Sequence, residues 1–441
     1  MNKKIVLIGA GSAMFGPPTL TDIFLSKVLS DSTIVLHDIN EEKLEMIYDL
    51  VVVENERTGN KFKIEKTISR TTALKNADFI LCSIEKGDRF KLRWQDNTFP
   101  RKHGSTEMMA ENGGPGGFFH SARQIPEIVK IVKDVEKICP DALFINYSNP
   151  MSRICLAIKR VAPDLKCIGL CHQIELLTNY HLSRMLNRKL EDMQITTGGL
   201  NHFAFILGIK DLTTGIDLMP EFNSKCIEYF KDKWDRFEFA DLTFEIFSRF
   251  GYFPYVGDNH ICEYVQWSSN YIKIEDIRDW IKLMEGSGKV INDKVFRYHK
   301  RLRNGRYPRK GMFLKNPSGE RAIPVIEAII EDKNSHETAV NIPNDNIIEN
   351  LPKDLFIECS AIVNKDGVHG KKIGIIPKNI AAILRIEASI QDLCVEAILK
   401  ESKDLAIACL AIDTNCGSFK MAENIYNEMI EIQKDYLPKF K

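Results

Sequence analysis

The chain has 441 residues, of which 44% are hydrophobic and 27% are charged, a composition typical of a globular protein with a sizeable core. Its 60 basic and 60 acidic side chains cancel, so charge gives no reason to expect a nucleic-acid or membrane-surface partner. No apolar run approaches the roughly 20 residues needed to span a bilayer. The 11 cysteines follow no disulfide spacing, and we therefore expect reduced thiols in a cytoplasmic protein.

Short apolar runs alternate with helical patterns in the first half of the chain. The predicted strands are residues 4–8, 33–36, 78–83, 143–147 and 167–170, and the predicted helices include 18–28, 41–54 and 124–138. This alternation predicts a parallel sheet with helices on both faces. The strands are apolar on both faces, as buried parallel strands are. The predicted fold class is therefore α/β, beginning with a Rossmann-type sheet.

After about residue 195, aromatic residues and long helical stretches replace this alternation. We predict a strand at residues 204–209 and helices at 378–411 and 420–433. No linker rich in Ser, Pro or Gly separates the two halves, which indicates a shared interface. The predicted domains are a Rossmann-type domain, residues 1–195, and a mainly helical α+β domain, residues 196–441.

A glycine turn follows the first strand in the sequence IVLIGAGSAMFG. Gly9 and Gly11 would let the backbone approach a pyrophosphate, and a helix beginning near Ser12 would offer it free N–H donors. Met14 stands where the third glycine of the usual fingerprint falls, so a simple strand–helix turn is the alternative. Asp38, 27 positions after Gly11, ends the second strand where an acid accepts hydrogen bonds from a ribose. The pattern predicts a bound dinucleotide and favours NAD over NADP.

An asparagine–proline pair stops the apolar strand in the sequence FINYSNPMS. Open α/β sheets bind ligands at this carboxyl edge, where Asn149 would hydrogen-bond a nicotinamide, a ribose or a sugar hydroxyl. A turn that merely ends the strand is the alternative interpretation.

Cys171 and His202 are candidate metal ligands in the sequences GLCHQIE and GGLNHF. A thiolate and an imidazole bind a borderline divalent cation and leave positions open to substrate oxygens. No third ligand lies at zinc-finger spacing, so a structural zinc is not predicted. Two packed core residues, or a Cys–His hydrolase, are the alternatives.

Two further stretches contain groups suited to a sugar pocket or to the edge of a core. In FGYFPYVGDNHICEY, aromatic residues surround Asp258, His260 and Glu263, with Tyr252 nearby. In EMMAENGGPGGFFHSARQ, the glycine run predicts a loop over a cleft, flanked by Glu111 and Arg123.

These stretches, in this order, resemble the family 4 glycoside hydrolases, the NAD- and metal-dependent glycosidases. The motifs that carry the resemblance span nearly the whole chain: GAGSAMF, GGPGGFFHSARQIP, NYSNPMS, GLCHQIE, GLNHF and LAID. The resemblance implies a first domain that binds NAD, related to malate and lactate dehydrogenases, and a catalytic second domain. It also implies that Cys171 and His202 hold Mn²⁺.

Within this family, the residue after the cysteine sorts the substrates. Members with histidine there act on unphosphorylated α-glycosides, and His172 places this chain with them. Gln173, His120 and Thr414 depart from the residues usual in the family, which predicts an unusual specificity. The predicted partner is a small glycoside, and the family implies a homodimer or homotetramer.

The resemblance further implies a redox–elimination mechanism, which replaces the usual pair of carboxylates. NAD⁺ takes hydride from C3 of the sugar, a base removes the C2 proton, the aglycone leaves C1, water adds, and the hydride returns. Asp258 is the implied base, with Tyr252 in reserve, and Glu111 or His172 protonates the leaving oxygen. The predicted substrate contacts are Asn149, His260 and Arg123.

Three other functions stay open at this point. A uronic-acid-specific α-glycosidase of the same family also fits, and the basic cluster at residues 299–310 would suit its carboxylate. A 2-hydroxy acid dehydrogenase would share the first domain but accumulate NADH. A non-enzymatic NAD sensor would bind the cofactor without turnover.

Overall fold

The computed structural model of the chain describes residues 2–231, 240–307, 311 and 316–441. The strands are β1 (Lys4–Ile8), β2 (Thr33–His37), β3 (Lys63–Thr67), β4 (Phe79–Cys82), β5 (Leu143–Asn146), β6 (Cys167–Gly169), β7 (Met193–Leu200), β8 (Phe203–Asp211), β9 (Ser335–Pro343), β10 (Phe356–Asn364) and β11 (Gly367–Gly370). The helices are α1 (Gly16–Leu25), α2 (Glu41–Arg57), α3 (Arg70–Leu74), α4 (Arg89–Lys102), α5 (Gly114–Ile138), α6 (Met151–Val161), α7 (Gln173–Leu176), α8 (Ser183–Leu186), α9 (Met219–Lys231), α10 (Asp241–Phe250), α11 (Asp258–Ile261), α12 (Ile274–Arg303), α13 (Ala322–Glu331), α14 (Lys378–Lys400), α15 (Lys403–Ile412) and α16 (Phe419–Ile432).

All of these strands belong to one sheet. Its parallel part has the order β3-β2-β1-β4-β5-β6. Strand β6 then pairs antiparallel with β9, the antiparallel strands β10, β7 and β8 follow, and β11 pairs with β10. The predicted fold class, a Rossmann-type parallel sheet followed by a mainly helical α+β part, is confirmed.

Strand β1 shows why the central strands are apolar throughout. Ile5 and Leu7 belong to one apolar cluster, whereas Val6 and Ile8 belong to the other. Successive strand residues point to opposite faces, and helices cover both faces of the sheet, so all four side chains are buried. Because β1, β2, β4, β5 and β6 run parallel, the residues that follow them lie along one edge of the sheet.

The glycine run that was predicted as a loop forms the first turn of α5. This helix begins at Gly114, with Pro115 in the position where its missing N–H costs nothing. Gly116 has no room for a side chain, because a Cβ there would lie 2.4 Å from the Cβ of Ala110. The prediction of a loop over a cleft is therefore wrong: the glycines permit close packing of a helix N-terminus.

The second half of the chain contains more strand than the sequence predicts. Strand β7 escapes prediction because Gly198 and Gly199 lower the strand propensity of its second half. The boundary predicted at residue 195 lies inside β7, and the division into two domains stays a prediction. The helix predicted at 378–411 is two helices, α14 and α15, which separate at Glu401, where φ is 52°.

Three smaller expectations also have structural counterparts. Within the described ranges, no helix is both long and apolar enough to span a membrane. The described residues include all the cysteines, and each of them is a free thiol. The basic cluster begins in the last turns of α12, where His299 Nε2 lies 2.9 Å from Asp49 Oδ2, and its residues 308–310 lie outside the described residues.

Candidate active site

The glycine turn after β1 packs closely against the ends of the neighbouring strands. Gly9 has a φ of 89°, and a Cβ there would lie 1.9 Å from the carbonyl oxygen of Ser83, so only glycine fits. The N–H of Gly11 donates to Asp38 Oδ2 at 2.9 Å, which brings two predicted cofactor-binding residues together. Helix α1 begins at Gly16 and not near Ser12, because the N–H of Ser12 closes the preceding turn onto the carbonyl of Gly9.

Asn149 lies beyond the end of β5, at the same edge of the sheet. It directly precedes Pro150, the N-cap of α6. The Oδ1 atom of Asn149 is buried and has no hydrogen-bond partner among the described residues. Buried polar atoms are nearly always hydrogen-bonded, so this acceptor marks a place where a ligand N–H or O–H fits. Contact with a nicotinamide or a sugar hydroxyl stays a prediction.

The structure brings Cys171 and His202 together. Cys171 follows β6, His202 occupies the turn between β7 and β8, and Cys171 Sγ lies 3.3 Å from His202 Nε2. His202 has a φ of 61°, a left-handed conformation that costs a non-glycine residue roughly 1 kcal/mol or more. Buried Glu358 on β10 fixes this turn, because its Oε2 accepts from Asn201 Nδ2 at 2.7 Å and from Asn341 Nδ2 at 2.8 Å.

The electrostatics of the pair suit a divalent cation. Burial, reinforced by neighbouring His260, holds the pKa of the His202 imidazole well below its ordinary value, so the ring is neutral and offers a lone pair. Burial also raises the pKa of the Cys171 thiol. A bound cation counteracts that effect, because a coordinated thiol is deprotonated.

Oxygen and nitrogen donors surround the pair. Glu111, His202 and His260 each offer a ligand atom, and these atoms lie within 4.8 Å of one another. The His202 and His260 ring centroids are 4.2 Å apart. His260 Nδ1 lies 3.7 Å from Glu111 Oε2 and 3.5 Å from Glu263 Oε1. The carboxylate of Glu111 is a ligand type that suits Mn²⁺, and the imidazoles beside it also bind divalent cations of this row.

Glu111, one of the two predicted proton donors, is held as an anion. Its Oε1 contacts Arg93 and lies 2.9 Å from Arg89 Nη2. Burial favours the neutral acid, but the two guanidinium groups outweigh it and hold the pKa of Glu111 well below its ordinary value. An acid that is ionised at neutral pH has no proton to give, so this geometry argues against the predicted role.

His172, the other predicted proton donor, lies at the rim of the site beside Cys171. Its side chain is 65% exposed, and its Nδ1 lies 3.3 Å from Glu320 Oε1. This hydrogen bond raises the pKa of His172. This position at the rim suits the delivery of a proton to the leaving group of a substrate that enters from solvent.

Asp258, the predicted base, caps the first turn of α10. Its carboxylate accepts from the N–H groups of Leu242 at 2.9 Å and Thr243 at 2.8 Å, and also from Ala240 N and the Thr243 hydroxyl. Burial raises the pKa of Asp258 to about 6, although these hydrogen bonds act in the opposite direction. Tyr252, the reserve base, is half-buried and packs against the apolar core.

Arg123, a predicted substrate contact, is buried within the helical layer. Its Nη1 and Nη2 donate to the two carboxylate oxygens of Asp96 at 3.0 and 2.6 Å, and Nη1 also donates to Gln433 Oε1 at 2.6 Å. These contacts tie α5 to α4 and to the end of α16. They do not support the predicted substrate role, because both terminal nitrogens already serve the fold.

Of the residues that support the site, the sequence placed Glu263 among the polar groups of a possible sugar pocket and gave no role to Asn112 or Glu320. Glu263 Oε2 accepts from the backbone N–H groups of Glu111, Asn112 and Gly113 at 2.8, 2.5 and 2.9 Å. Asn112 in turn contacts His202, and Glu320 contacts His172. The one available signal was the spacing of His260 and Glu263, which places them on one side of a helical turn.

A doubly wound sheet with a dinucleotide turn and a Cys–His pair at its carboxyl edge defines a dehydrogenase-like α/β protein with an added set of metal-binding donors. The chain belongs to the family 4 glycosyl hydrolases. The sequence profile of that family matches residues 4–187, and the profile of the family's C-terminal domain matches residues 197–416. The resemblance read from the motifs is confirmed.

The relatives carry different substrate names. An α-glucosidase of Erwinia rhapontici is 35% identical over 100% of both chains. An α-galacturonidase of Lachnoclostridium phytofermentans is 28% identical over 99% of this chain and 97% of its own length. A 6-phospho-α-glucosidase from gut microorganisms, solved in complex with NAD and Mn²⁺, has a TM-score of 0.84 at 22% identity over 100% of both chains. This last likeness shows a shared fold.

Proposed function

We propose that this protein hydrolyses unphosphorylated α-glycosides with NAD and Mn²⁺ as resident cofactors. The observation that carries the proposal is the 3.3 Å approach of Cys171 Sγ to His202 Nε2. This cysteine–histidine pair lies at the same edge of the sheet as the hydrogen bond from Gly11 N–H to Asp38. Membership in the glycosidase family, with an α-glucosidase relative at 35% identity, supports the reaction class.

The site residues fit both cofactors. Those that would hold the dinucleotide are Gly9, Gly11, Ser12, Asp38 and Asn149. Cys171 and His202 would hold the metal, with Glu111 and His260 beside them. When bound, NAD supplies a hydride acceptor and Mn²⁺ a Lewis acid, the combination that a redox–elimination cleavage requires.

Proton transfers fall to the side chains of this protein. His172 is the proposed donor to the leaving oxygen, because Glu320 holds its Nδ1 and leaves Nε2 for the substrate. Asp258 is the proposed base for the C2 proton. Tyr252 is the alternative base, because Asp258 must first give up at least one of the hydrogen bonds that it accepts from the start of α10.

Charge at the rim favours a neutral sugar over a uronic acid. Glu320 pairs with His172, and Arg321 donates to both carboxylate oxygens of Glu337 at 2.8 and 2.7 Å. Glu175 lies in the same neighbourhood, close enough to feel the charges of Arg321 and Glu320. In this described part of the rim, a substrate carboxylate would meet acids and cations that are already paired, which disfavours its binding.

The proposed function is tested with a panel of nitrophenyl glycosides in the presence of Mn²⁺, NAD⁺ and a thiol reductant. We expect nitrophenol release from a neutral α-glycoside that requires both cofactors and produces no net NADH. Release from uronides alone would show the uronic-acid alternative. NADH accumulation on a 2-hydroxy acid, without any cleavage, would show a dehydrogenase. A cytoplasmic location and assembly as a homodimer or homotetramer stay predictions.

The rim charge gives a separate prediction for Glu320→Gln. Loss of this acid should leave His172 without its anionic partner and raise the ratio of uronide to neutral glycoside turnover by about 10-fold, or about 1.4 kcal/mol. The matched control is Glu331→Gln, at the opposite end of α13, where the acid pairs with Lys333. An unchanged ratio in the Glu320 variant would contradict the charge argument.

A further inference from the structure

Asn112 lies in the loop of residues 111–113, whose backbone N–H groups donate to Glu263. Its side chain connects this loop to the ring of His202. Asn112 is buried, and its Nδ2 lies 2.7 Å from His202 Nδ1. Its Oδ1 is also buried and has no hydrogen-bond partner among the described residues. The two ends of a carboxamide have nearly the same shape, so half a turn of the amide plane exchanges oxygen and nitrogen without moving the backbone.

The donor chemistry of His202 decides between the two amide orientations. A neutral imidazole carries one proton, and metal binding needs the lone pair of the nitrogen that faces the metal. In His202 that nitrogen is Nε2, which lies 3.3 Å from Cys171 Sγ. The proton must then reside on Nδ1, and Nδ1 needs an acceptor. In the part of the chain that the structure describes, the carboxamide of Asn112 is the only hydrogen-bond partner of Nδ1.

We propose that Asn112 is a positioning residue whose carbonyl oxygen accepts the Nδ1–H of His202 and thereby keeps Nε2 free for the metal. This inference rests on the proposed function, since it presupposes a cation at Cys171 and His202. It deepens that function by assigning the group that selects the tautomer of one ligand.

The surroundings of the amide agree with this orientation. Asn112 lines a small cavity together with Ser152 and Asn201. Arg153 lines the same cavity. Ser152 Oγ, Asn201 Oδ1 and Arg153 Nε are all buried and lack hydrogen-bond partners among the described residues. Turning the carboxamide so that Oδ1 faces His202 directs its N–H₂ group away from that ring, and two of these three atoms, Ser152 Oγ and Asn201 Oδ1, are able to accept from it.

The backbone at Asn112 is fixed in place. Glu263 Oε2 holds three successive N–H groups, those of residues 111–113. The carbonyl oxygen of Glu263 accepts from Asn415 Nδ2 at 2.7 Å, which ties the loop to the segment after α15. Gly113 has no room for a side chain, because a Cβ would lie 2.8 Å from that carbonyl oxygen. A rigid support of this kind is what orients a metal ligand.

The test measures Mn²⁺ affinity of the full-length protein by the EPR signal of the free ion, with NAD⁺ affinity as a second readout. Asn112→Leu removes the acceptor and should weaken Mn²⁺ binding by about 10–100-fold while NAD⁺ affinity is retained. Asn112→Asp keeps an acceptor oxygen and should recover most of the Mn²⁺ affinity. Asn112→Ala, which is smaller, replaces the leucine variant if that variant does not fold.

A buried asparagine far from the site provides the matched control. Asn55 on α2 bonds the backbone of Phe62 through both ends of its amide, so Asn55→Leu should lower the melting temperature and leave Mn²⁺ affinity unchanged. Wild-type Mn²⁺ affinity in Asn112→Leu or Asn112→Ala, or an equal loss in Asn112→Asp, would overturn the role of Asn112 alone. No Mn²⁺ binding by the wild-type protein would overturn the proposed function and this inference together.

Discussion

Replacing Cys171 with serine should abolish most glycosidase activity while leaving the dinucleotide site intact. Cys171 Sγ lies 3.3 Å from His202 Nε2 at the carboxyl edge of the sheet. Serine would replace an anionic thiolate ligand with a neutral hydroxyl, which is a weaker ligand for a divalent cation. We expect turnover to fall by more than about 100-fold, because even residues that only orient a ligand contribute about 10–100-fold. Steady-state kinetics at saturating Mn²⁺ and NAD⁺ provide the measurement.

Cys167→Ser is the matched control for this variant. Cys167 begins β6, the strand that Cys171 follows, and it is also a free, partly exposed thiol. We expect this control to keep nearly full activity. NAD⁺ affinity, measured by fluorescence or calorimetry, should be the same in both variants, because the glycine turn lies after β1. Wild-type turnover in Cys171→Ser would show that the metal assignment is incorrect.

Replacing Arg123 with methionine should destabilise the fold by about 3–5 kcal/mol, the usual cost of leaving a buried charge without its partner. Both Asp96 carboxylate oxygens accept from this guanidinium at 3.0 and 2.6 Å, and the side chains of the pair are 2% and 0% exposed. The free energy of unfolding in urea, or the melting temperature where unfolding is not reversible, gives the measurement. If Arg123 contacts substrate, as the sequence predicts, the variant should raise KM and leave stability unchanged.

Two further variants separate these outcomes. Replacing both partners, Arg123→Met with Asp96→Leu, should restore part of the lost stability, because two apolar groups need no partner. Arg160→Met removes an arginine whose ion pairs with Asp392 and Glu396 are partly exposed, and it should cost no more than about 1 kcal/mol. A stability loss in Arg160→Met as large as that in Arg123→Met would contradict the importance of burial.

The parallel half of the fold could be predicted because its signals are local. Strand β1 is apolar at every position that faces a helical layer, and a short continuous apolar run needs no distant partner to be recognised. The contact between Gly11 and Asp38 also follows from local rules, since residues after adjacent parallel strands meet at one edge. The antiparallel half could not be predicted as well, because β9 and β10 enter the sheet between β6 and β7.

The roles of charged site residues depended on partners far away in sequence. Asp258 resembles a free acid in the sequence, but the N–H groups of α10 occupy its carboxylate. Glu111 resembles a proton donor, but Arg93 and Arg89 keep it ionised. Neither partner is implied by a spacing rule, because such rules describe neighbours on one element and not contacts between elements.

The sequence alone determined that this protein has a Rossmann-type sheet, a glycine turn for a dinucleotide and a candidate pair of metal ligands, because hydrophobic periodicity and strand ends are local properties of the chain. Only the tertiary structure decided which side chains support that pair. Glu263 and the backbone of Glu111 are 152 residues apart, yet they lie 2.8 Å from each other. Such contacts arise when separate elements pack, and hydrogen bonding then gives each buried polar group a role that its own neighbours in the sequence do not specify.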